Sequence, residues 1–330
     1  MKISRRDLLR AAVGSAATAM LPGQAFTHCA DADDVVRIGL ITDLHHDLMH
    51  DSVQRMEIFL SEAKAIHADG LIQLGDFAYP KTENQDVIAP FNAAGGLHVI
   101  GNHDLDSGHT KEQCREIWGI PGNYYSHDLK GIRILVLDGN EAGSPSHQGG
   151  YKAYIGKQQQ EWIEEQLRTT PGPFVIVSHQ PIAGAQAINN ATELQELFSK
   201  YSNKILICLN GHSHLDLLLR VKGVSYLHVN SASYQWVGGA NKHNSYPEKI
   251  HATHPWIGHT CPYRDSVFGA ISINVKTGNI LVRGTSSEWV GPSPAEIGHD
   301  IDPSLNNGEE IAPRIRERVI ERITGSLLSE

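Results

Sequence analysis

Long apolar runs are missing from this sequence. No stretch reaches the roughly 20 consecutive apolar residues that a membrane-spanning helix needs, so no stable membrane anchor is expected. Cysteine is scarce, with four in 330 residues. That is too few for a disulfide framework, and a chain of this length can bury a sizeable core without one. Cys208 lies in an apolar run and reads as a small buried hydrophobe. Cys114 and Cys261 are left either to pair in an oxidising compartment or to stay free. Positive charge is also short: 28 Lys and Arg against 37 Asp and Glu give a net charge of −9. Nucleic-acid binding driven by charge is therefore excluded. Internal repeats and low-complexity tracts are absent, and no serine or cysteine stands in a convincing nucleophilic triad.

The N-terminus carries what the rest lacks. Ser4-Arg5-Arg6-Asp7-Leu8-Leu9-Arg10 precedes a short apolar stretch from Ala11 to Leu21 and then small residues. A basic start, a short apolar middle and an Ala-x-Ala site read as an export signal, and the paired arginines point to the twin-arginine route. Cleavage could follow Ala25 or Ala32, and residues 1–32 are taken as the signal peptide. Phe26-Thr27-His28-Cys29 is a poor lipoprotein box, because His28 occupies a position that wants a small residue. Cleavage after Ala32 would remove Lys2, Arg5, Arg6 and Arg10 with Asp7 and Asp31, so −9 becomes −11. The expected location is the periplasm or the extracellular side, with the twin-arginine translocase as partner during export.

Beyond residue 33 strands and helices alternate. Val36 to Thr42 reads as a strand, followed by a helix that Asp51 caps and Gly70 closes, with Val53, Met56, Phe59, Leu60, Ala63 and Ile66 at helical spacing. Strands at Leu71–Leu74 and Leu97–Ile100 flank a helical stretch around Val87–Ala94. A hairpin is expected at Tyr124–Leu137, turning at Lys130-Gly131, and a helix at Lys157–Leu167. Strands follow at Phe174–Ser178 and Ile205–Leu209, with a capping box at Thr192–Gln195 opening the helix between them. Paired runs around Leu217–Val221 and Tyr226–Val229, then Phe268–Val275 and Ile280–Val282, complete the pattern. The alternation argues for layered α/β architecture. Residues 289–330 read as an extension with a terminal helix near Ala312–Leu328.

Five apolar runs end in polar groups of one chemical kind: Asp43-Leu44-His45, Gly75-Asp76, Gly101-Asn102-His103-Asp104, His179 and Gly211-His212-Ser213-His214. Ligand sites of α/β sheets gather at strand ends. A mixture of carboxylate, amide and imidazole suits hard and borderline divalent cations. Asp43 and His45 are two apart, as are His212 and His214, so in extended chain each pair would point the same way and could share one metal.

The order D-x-H, G-D, G-N-H-D, H, G-H-x-H resembles the calcineurin-like metallophosphoesterase family over roughly Val36 to Val282. The resemblance implies a metallophosphoesterase domain at 33–288, folded as a four-layer αββα sandwich of two mixed β-sheets flanked by helices. It implies two metal ions, divalent or of mixed valence, drawn from manganese, iron and zinc. Asp43, His45, Asp76 and His214 would hold the first and Asp76, Asn102, His179 and His212 the second, with Asp76 bridging. A hydroxide between the metals would attack the phosphorus of a small phosphate ester. His103 would face the phosphate as general acid, oriented by Asp104. Three alternatives remain: a nucleotide or cyclic-nucleotide phosphodiesterase, a purple-acid-phosphatase-like enzyme, and a metal- or phosphate-binding protein without turnover.

Some residues sit beside this pattern. Tyr79 has the D-x-x-Y spacing of the iron-binding tyrosine in purple acid phosphatases, but those lack the histidine of the first motif, so Tyr79 is taken as structural and His45 as the ligand. His46 and Asp47 are read as loop residues. The glycine-rich loop Gly143–Gly150 is expected near substrate. His243, His251, His254 and His259, among Trp236, Tyr246, Trp256 and Tyr263, form either a substrate rim or a solvated loop, and His109 and His147 are read the same way.

Overall fold

The computed structural model describes residues 34–299, 305 and 310–322; the expected signal peptide lies outside them. In chain order its strands begin with β1 (Val35–Ile41), β2 (Gly70–Gln73), β3 (Gly96–His98), β4 (Tyr125–Leu129) and β5 (Ile132–Val136). They continue with β6 (Phe174–Val177), β7 (Ile205–Asn210), β8 (Leu217–Val221), β9 (Val224–His228) and β10 (Tyr234–Trp236). The last four are β11 (Thr260–Pro262), β12 (Gly269–Asn274), β13 (Ile280–Gly284) and β14 (Arg318–Ile320). Helices α1 (Ser52–Ala65), α2 (Gln85–Ala93), α3 (Lys111–Trp118), α4 (Lys157–Thr169), α5 (Ala191–Ser199) and α6 (Glu248–Thr253) lie between them.

Two six-stranded mixed sheets result, ordered β14-β13-β12-β1-β2-β3 and β4-β5-β6-β7-β9-β8, with β10-β11 as a separate ribbon. The parallel pairs β1-β2-β3 and β5-β6-β7-β9 form the middle of the sheets and are largely buried, as expected of strands covered on both faces. The second sheet is so covered: Ile134, Val175, Val177, Ile207 and Leu209 join the main core with β1–β3 and β12, whereas Leu135, Phe174, Ile176 and Cys208 pack with Ile163, Leu167, Leu194 and Phe198 of α4 and α5. On the first sheet Met56 and Phe59 of α1, Val87 and Phe91 of α2 and Trp118 of α3 join the main core. The arrangement is the expected αββα sandwich. Its hairpin turns at Lys130-Gly131 and Lys222-Gly223 hold positive φ at both residues, which fits the twist of the strands they join.

Four local expectations are corrected. Helix α1 ends with Ile66 as its cap, and Gly70 starts β2, where a Cβ would press on Leu129. Asp51 makes no capping bond because both its oxygens hold Arg55 at 2.8 Å. Helix α5 is entered through Asn190, not Thr192, and the Asn190 side chain is spent on the Ile155 backbone. In place of a terminal helix, Arg318–Ile320 forms an edge strand on β13, with Ile315 and Ile320 buried; residues 323–330 lie outside the described residues. Cys114, Cys208 and Cys261 are buried and unpaired. Among the described residues no helix is long and apolar enough to cross a membrane.

Candidate metal centre

The loops after β1, β2, β3, β6 and β7 converge, and two triads form from residues far apart in sequence. Asp43, His45 and His214 make one, Asp76, His179 and His212 the other, and the ligand atoms within each triad all lie within 4.8 Å of one another. Asp43, His45, Asp76, His212 and His214 have φ between 48° and 67°, half of the ten positive-φ non-glycine positions described. That backbone region is costly for a side-chain-bearing residue, so its concentration here marks a constrained site. It also corrects the extended-chain expectation: Asp43 and His45 do meet, but His212 and His214 part into different triads. The preceding glycines are required by close approach. A Cβ on Gly101 would overlap the Asp76 amide nitrogen, and one on Gly211 would overlap the Thr42 hydroxyl.

Hydrogen bonds orient four of the ligand side chains. His179 donates Nδ1–H to the Leu74 carbonyl at 2.8 Å, and His214 does the same to the Tyr234 carbonyl at 2.7 Å. Each therefore turns Nε2 to the centre, 3.1 Å from Asp76 Oδ2 and 3.2 Å from Asp43 Oδ1 respectively. Asp43 Oδ2 is held by the Thr42 hydroxyl (2.6 Å) and the His212 amide (3.0 Å), which reaches Oδ1 only at 3.3 Å. Asp76 Oδ1 accepts from the His103 amide at 2.8 Å; Oδ2 lies 3.1 Å from His179 Nε2 and 3.8 Å from His45 Nε2, so it stands between the triads. Asn102 Oδ1 is 3.1 Å from His179 Nε2. His45 Nε2 and Asn102 Nδ2 are buried with no hydrogen-bond partner. The orphaned His45 ring nitrogen, beside buried carboxylates, fits a cation, whereas the Asn102 amide nitrogen is a donor and faces none.

The titration behaviour fits at His45, His212, Asp43 and Asp76, whereas His179 must shed a proton to take a cation. Burial pushes His45 and His212 down to about 3, so both are neutral donors. Burial would raise Asp43, but His214 and His179 outweigh it and bring it down to about 2; Asp76 is likewise held well below the carboxylate range against its burial, chiefly by His179 and His103. His179, whose burial disfavours charge, is carried up to about 9 by Asp76 and Asp43.

Asp104 and His103 lie beside the triads, but the expected orienting bond is not made. Asp104 is fully buried and accepts from the amides of Gly101, Asp76, Phe77 and Ala78 at 2.7–3.2 Å. It ties the loop after β2 to the loop after β3. His103 instead places Nδ1 2.7 Å from Asp106 Oδ2, and the Tyr151 hydroxyl reaches both, 3.1 Å from Nδ1 and 3.0 Å from either Asp106 oxygen. Burial disfavours its charge, yet Asp76 and Asp106 raise His103 to about 8. Asp106 and Tyr151 were missed; a second carboxylate three residues after His103, on the same turn, was the available signal for the first.

A cavity of about 750 Å³ opens over the centre, lined by His45, Asp76, Asn102, His103, His212 and His214, with Tyr151, Trp236 and Trp256 also on its wall. The aromatic loop is thus divided: Trp236 and Trp256 line the cavity, Tyr263 is core, and His251 holds the loop backbone at Ser245 and Tyr246. Tyr79 rests its ring 5.0 Å from His109 and bonds Ser107; burial pushes its hydroxyl up, away from tyrosinate. Asp47 receives the Tyr79 amide and Asn84 side chain, and His46 meets Ser52, which makes both loop fasteners as expected.

A sequence profile of the calcineurin-like phosphoesterase family matches residues 36–216, over half the chain. No curated protein matches in sequence. Among solved structures, the fold is similar to a dimetal phosphatase from Danio rerio (TM-score 0.54, 13% identity, 77% of this chain and 98% of that one). It is also similar to GAP50, the anchor in the inner membrane complex of Plasmodium (TM-score 0.55, 12% identity, 88% and 89%). With a matching profile, this fold and two candidate metal triads at the strand ends, the chain belongs to the calcineurin-like phosphoesterase family.

Proposed function

We propose that this chain is an exported, metal-dependent phosphoesterase that hydrolyses small phosphate esters. The observation that carries the reading is the meeting of the two triads at Asp76, beside His103, on the floor of one open cavity. Asp43, His45, His214 and Asp76 would hold one divalent cation, and Asp76, Asn102, His179 and His212 the other. Bound there, the pair would supply an activated water and charge neutralisation for the phosphoryl group. Asn102 contributes an oxygen without adding negative charge beside an anionic substrate. His103, with Nδ1 committed to Asp106, turns Nε2 toward the cavity and carries a proton near neutral pH, suited to protonating the leaving oxygen. Asp106 and Tyr151 fix that ring; Asp104 holds the two loops in register.

The test is hydrolysis of paired aryl phosphate mono- and diesters after chelation, with manganese, iron, zinc or calcium added back. Turnover restored by one of these metals is the expected result. Tight metal binding without turnover of either ester would favour the binding-protein reading instead. Export is proposed on Arg5-Arg6 and the short apolar stretch after them. Replacing both arginines by lysine should strand the full-length protein inside the cell, and undiminished export would refute that route.

A further inference from the structure

Five large hydrophobic side chains stand exposed among the described residues, and three of them line the cavity over the metal centre: Tyr151 (49%), Trp236 (41%) and Trp256 (60%). Single exposed apolar residues need no account, but a set gathered on one cavity does. The rings form a connected series from a candidate ligand outward. His45 stacks on Tyr234 at 4.9 Å and 26°, and Tyr234 lies 6.5 Å from Trp236. Trp236 is parallel to His259 at 5.7 Å and 11°, and His259 meets Trp256 at 5.0 Å. Tyr234 is buried at the cavity wall, while the two indoles share His259 as a prop and keep open surface. They are thus held in place before any ligand arrives, which lowers the ordering cost of binding.

Size and charge point the same way. A cavity of about 750 Å³ is in the range of organic-ligand pockets, far beyond a phosphate group alone. Among its described lining residues there is no lysine or arginine, so none of them offers a permanent positive charge to a second anionic group away from the centre. An indole surface stacks on a flat π-face, whereas an alkyl chain gains only buried area.

Resting on the phosphoesterase reading above, we propose that Trp236 and Trp256 form a subsite for an uncharged flat aromatic ring in the organic part of the ester, as carried by an aryl ester or a nucleotide. No bond changes at this subsite. It decides which ester is held, while the phosphoryl group sits among the triads.

The test uses full-chain, metal-loaded protein and three non-hydrolysable phosphonates: naphthylmethyl, nucleoside and n-octyl. Inhibition constants and calorimetric affinities are measured for wild type, Trp256→Ala, the Trp236→Ala/Trp256→Ala pair, Trp256→Phe, and Ile58→Ala as an exposed control on α1, whose Ile58 is outside the cavity. Both residues are on the surface, so folding is expected to survive and is checked by melting temperature. Wild type should prefer at least one ring phosphonate over octyl by roughly 10- to 100-fold, the double variant should bring that ratio near one, and Trp256→Phe should keep most of it. The ring that binds tighter identifies the source, aryl ester or nucleotide. A preference that survives in the double variant, or octyl bound as tightly as both rings, overturns the proposal. If no phosphonate binds and no ester is cleaved, the phosphoesterase reading falls and this one with it; loss of the ring preference alone, with turnover intact, sinks only the subsite.

Discussion

The carboxylate that meets the imidazole of His103 is Asp106, 2.7 Å from Nδ1, and not the adjacent Asp104. The two carboxylates divide the work of the G-N-H-D loop. One is half-exposed and steers a ring into the cavity; the other is fully buried and takes four backbone amides.

Their variants should separate accordingly. Asp106→Asn should lower kcat by roughly 10- to 100-fold, a part of the full general-acid contribution, with melting temperature nearly unchanged. Because the Asp106 charge helps raise His103, its removal should also shift the alkaline limb of the pH–rate profile to lower pH. Asp104→Asn should instead cost about 1–3 kcal/mol of stability through its misfit with the amides it now accepts. A melting-temperature loss in the first variant as large as in the second would return the steering role to Asp104.

His103 and Asp76 should likewise part. His103→Ala should cut turnover by about 10²–10⁴-fold and leave metal content nearly unchanged, since its ring belongs to neither triad. Asp76→Asn should lower occupancy at both positions, read by elemental analysis after gel filtration. Equal metal loss in the two variants would place His103 among the ligands.

How much of this was legible in the sequence follows from range. The seven candidate ligands each end an apolar run, and a strand end is local information, so their convergence could be anticipated. The bond from Tyr151 to His103 spans 48 positions, and the pairing of β14 with β13 joins Ile320 to Ile280; neither leaves a local signature. Asp106 is local, but its choice over Asp104 depends on amides that the loop after β2 presents. The left-handed backbone at His212 and His214 is also set by the fold, which is why side chains two apart divide between triads.

Gly211 tests that last point. A methyl group there would overlap Thr42 Oγ1 and crowd Asp43 Oδ2, the pair whose bond orients the Asp43 carboxylate. Gly211→Ala should cost about 1–3 kcal/mol and weaken metal binding in titration. Gly108→Ala, with nothing within 4 Å but φ of +84°, supplies the control: backbone strain without overlap, and metal affinity retained. Equal metal loss in both would mean that strain, not crowding, is responsible.

Acid should destabilise the protein through buried histidines that are not among the candidate ligands. The buried His98 ring bonds Gln73 and the exposed Asn92, and burial pushes it down to about 3; His228, bonded to Ser213, is brought to about 4 by burial, against the Ala183 carbonyl that receives its Nε2–H. The unfolded chain protonates each near 6.5. The folded value is the lower one, so between these limits the unfolded state binds more protons. The stabilisation is complete above about pH 6.5 and is lost as pH falls from there toward 3–4, at about 1.4 kcal/mol per pH unit for each group. Urea midpoints of wild type and His98→Gln at pH 7, 6, 5 and 4 isolate the His98 share, because other titrating groups cancel in the difference. The wild-type advantage should shrink steadily with acid; a difference constant across that range would mean that His98 takes up its proton without unfolding.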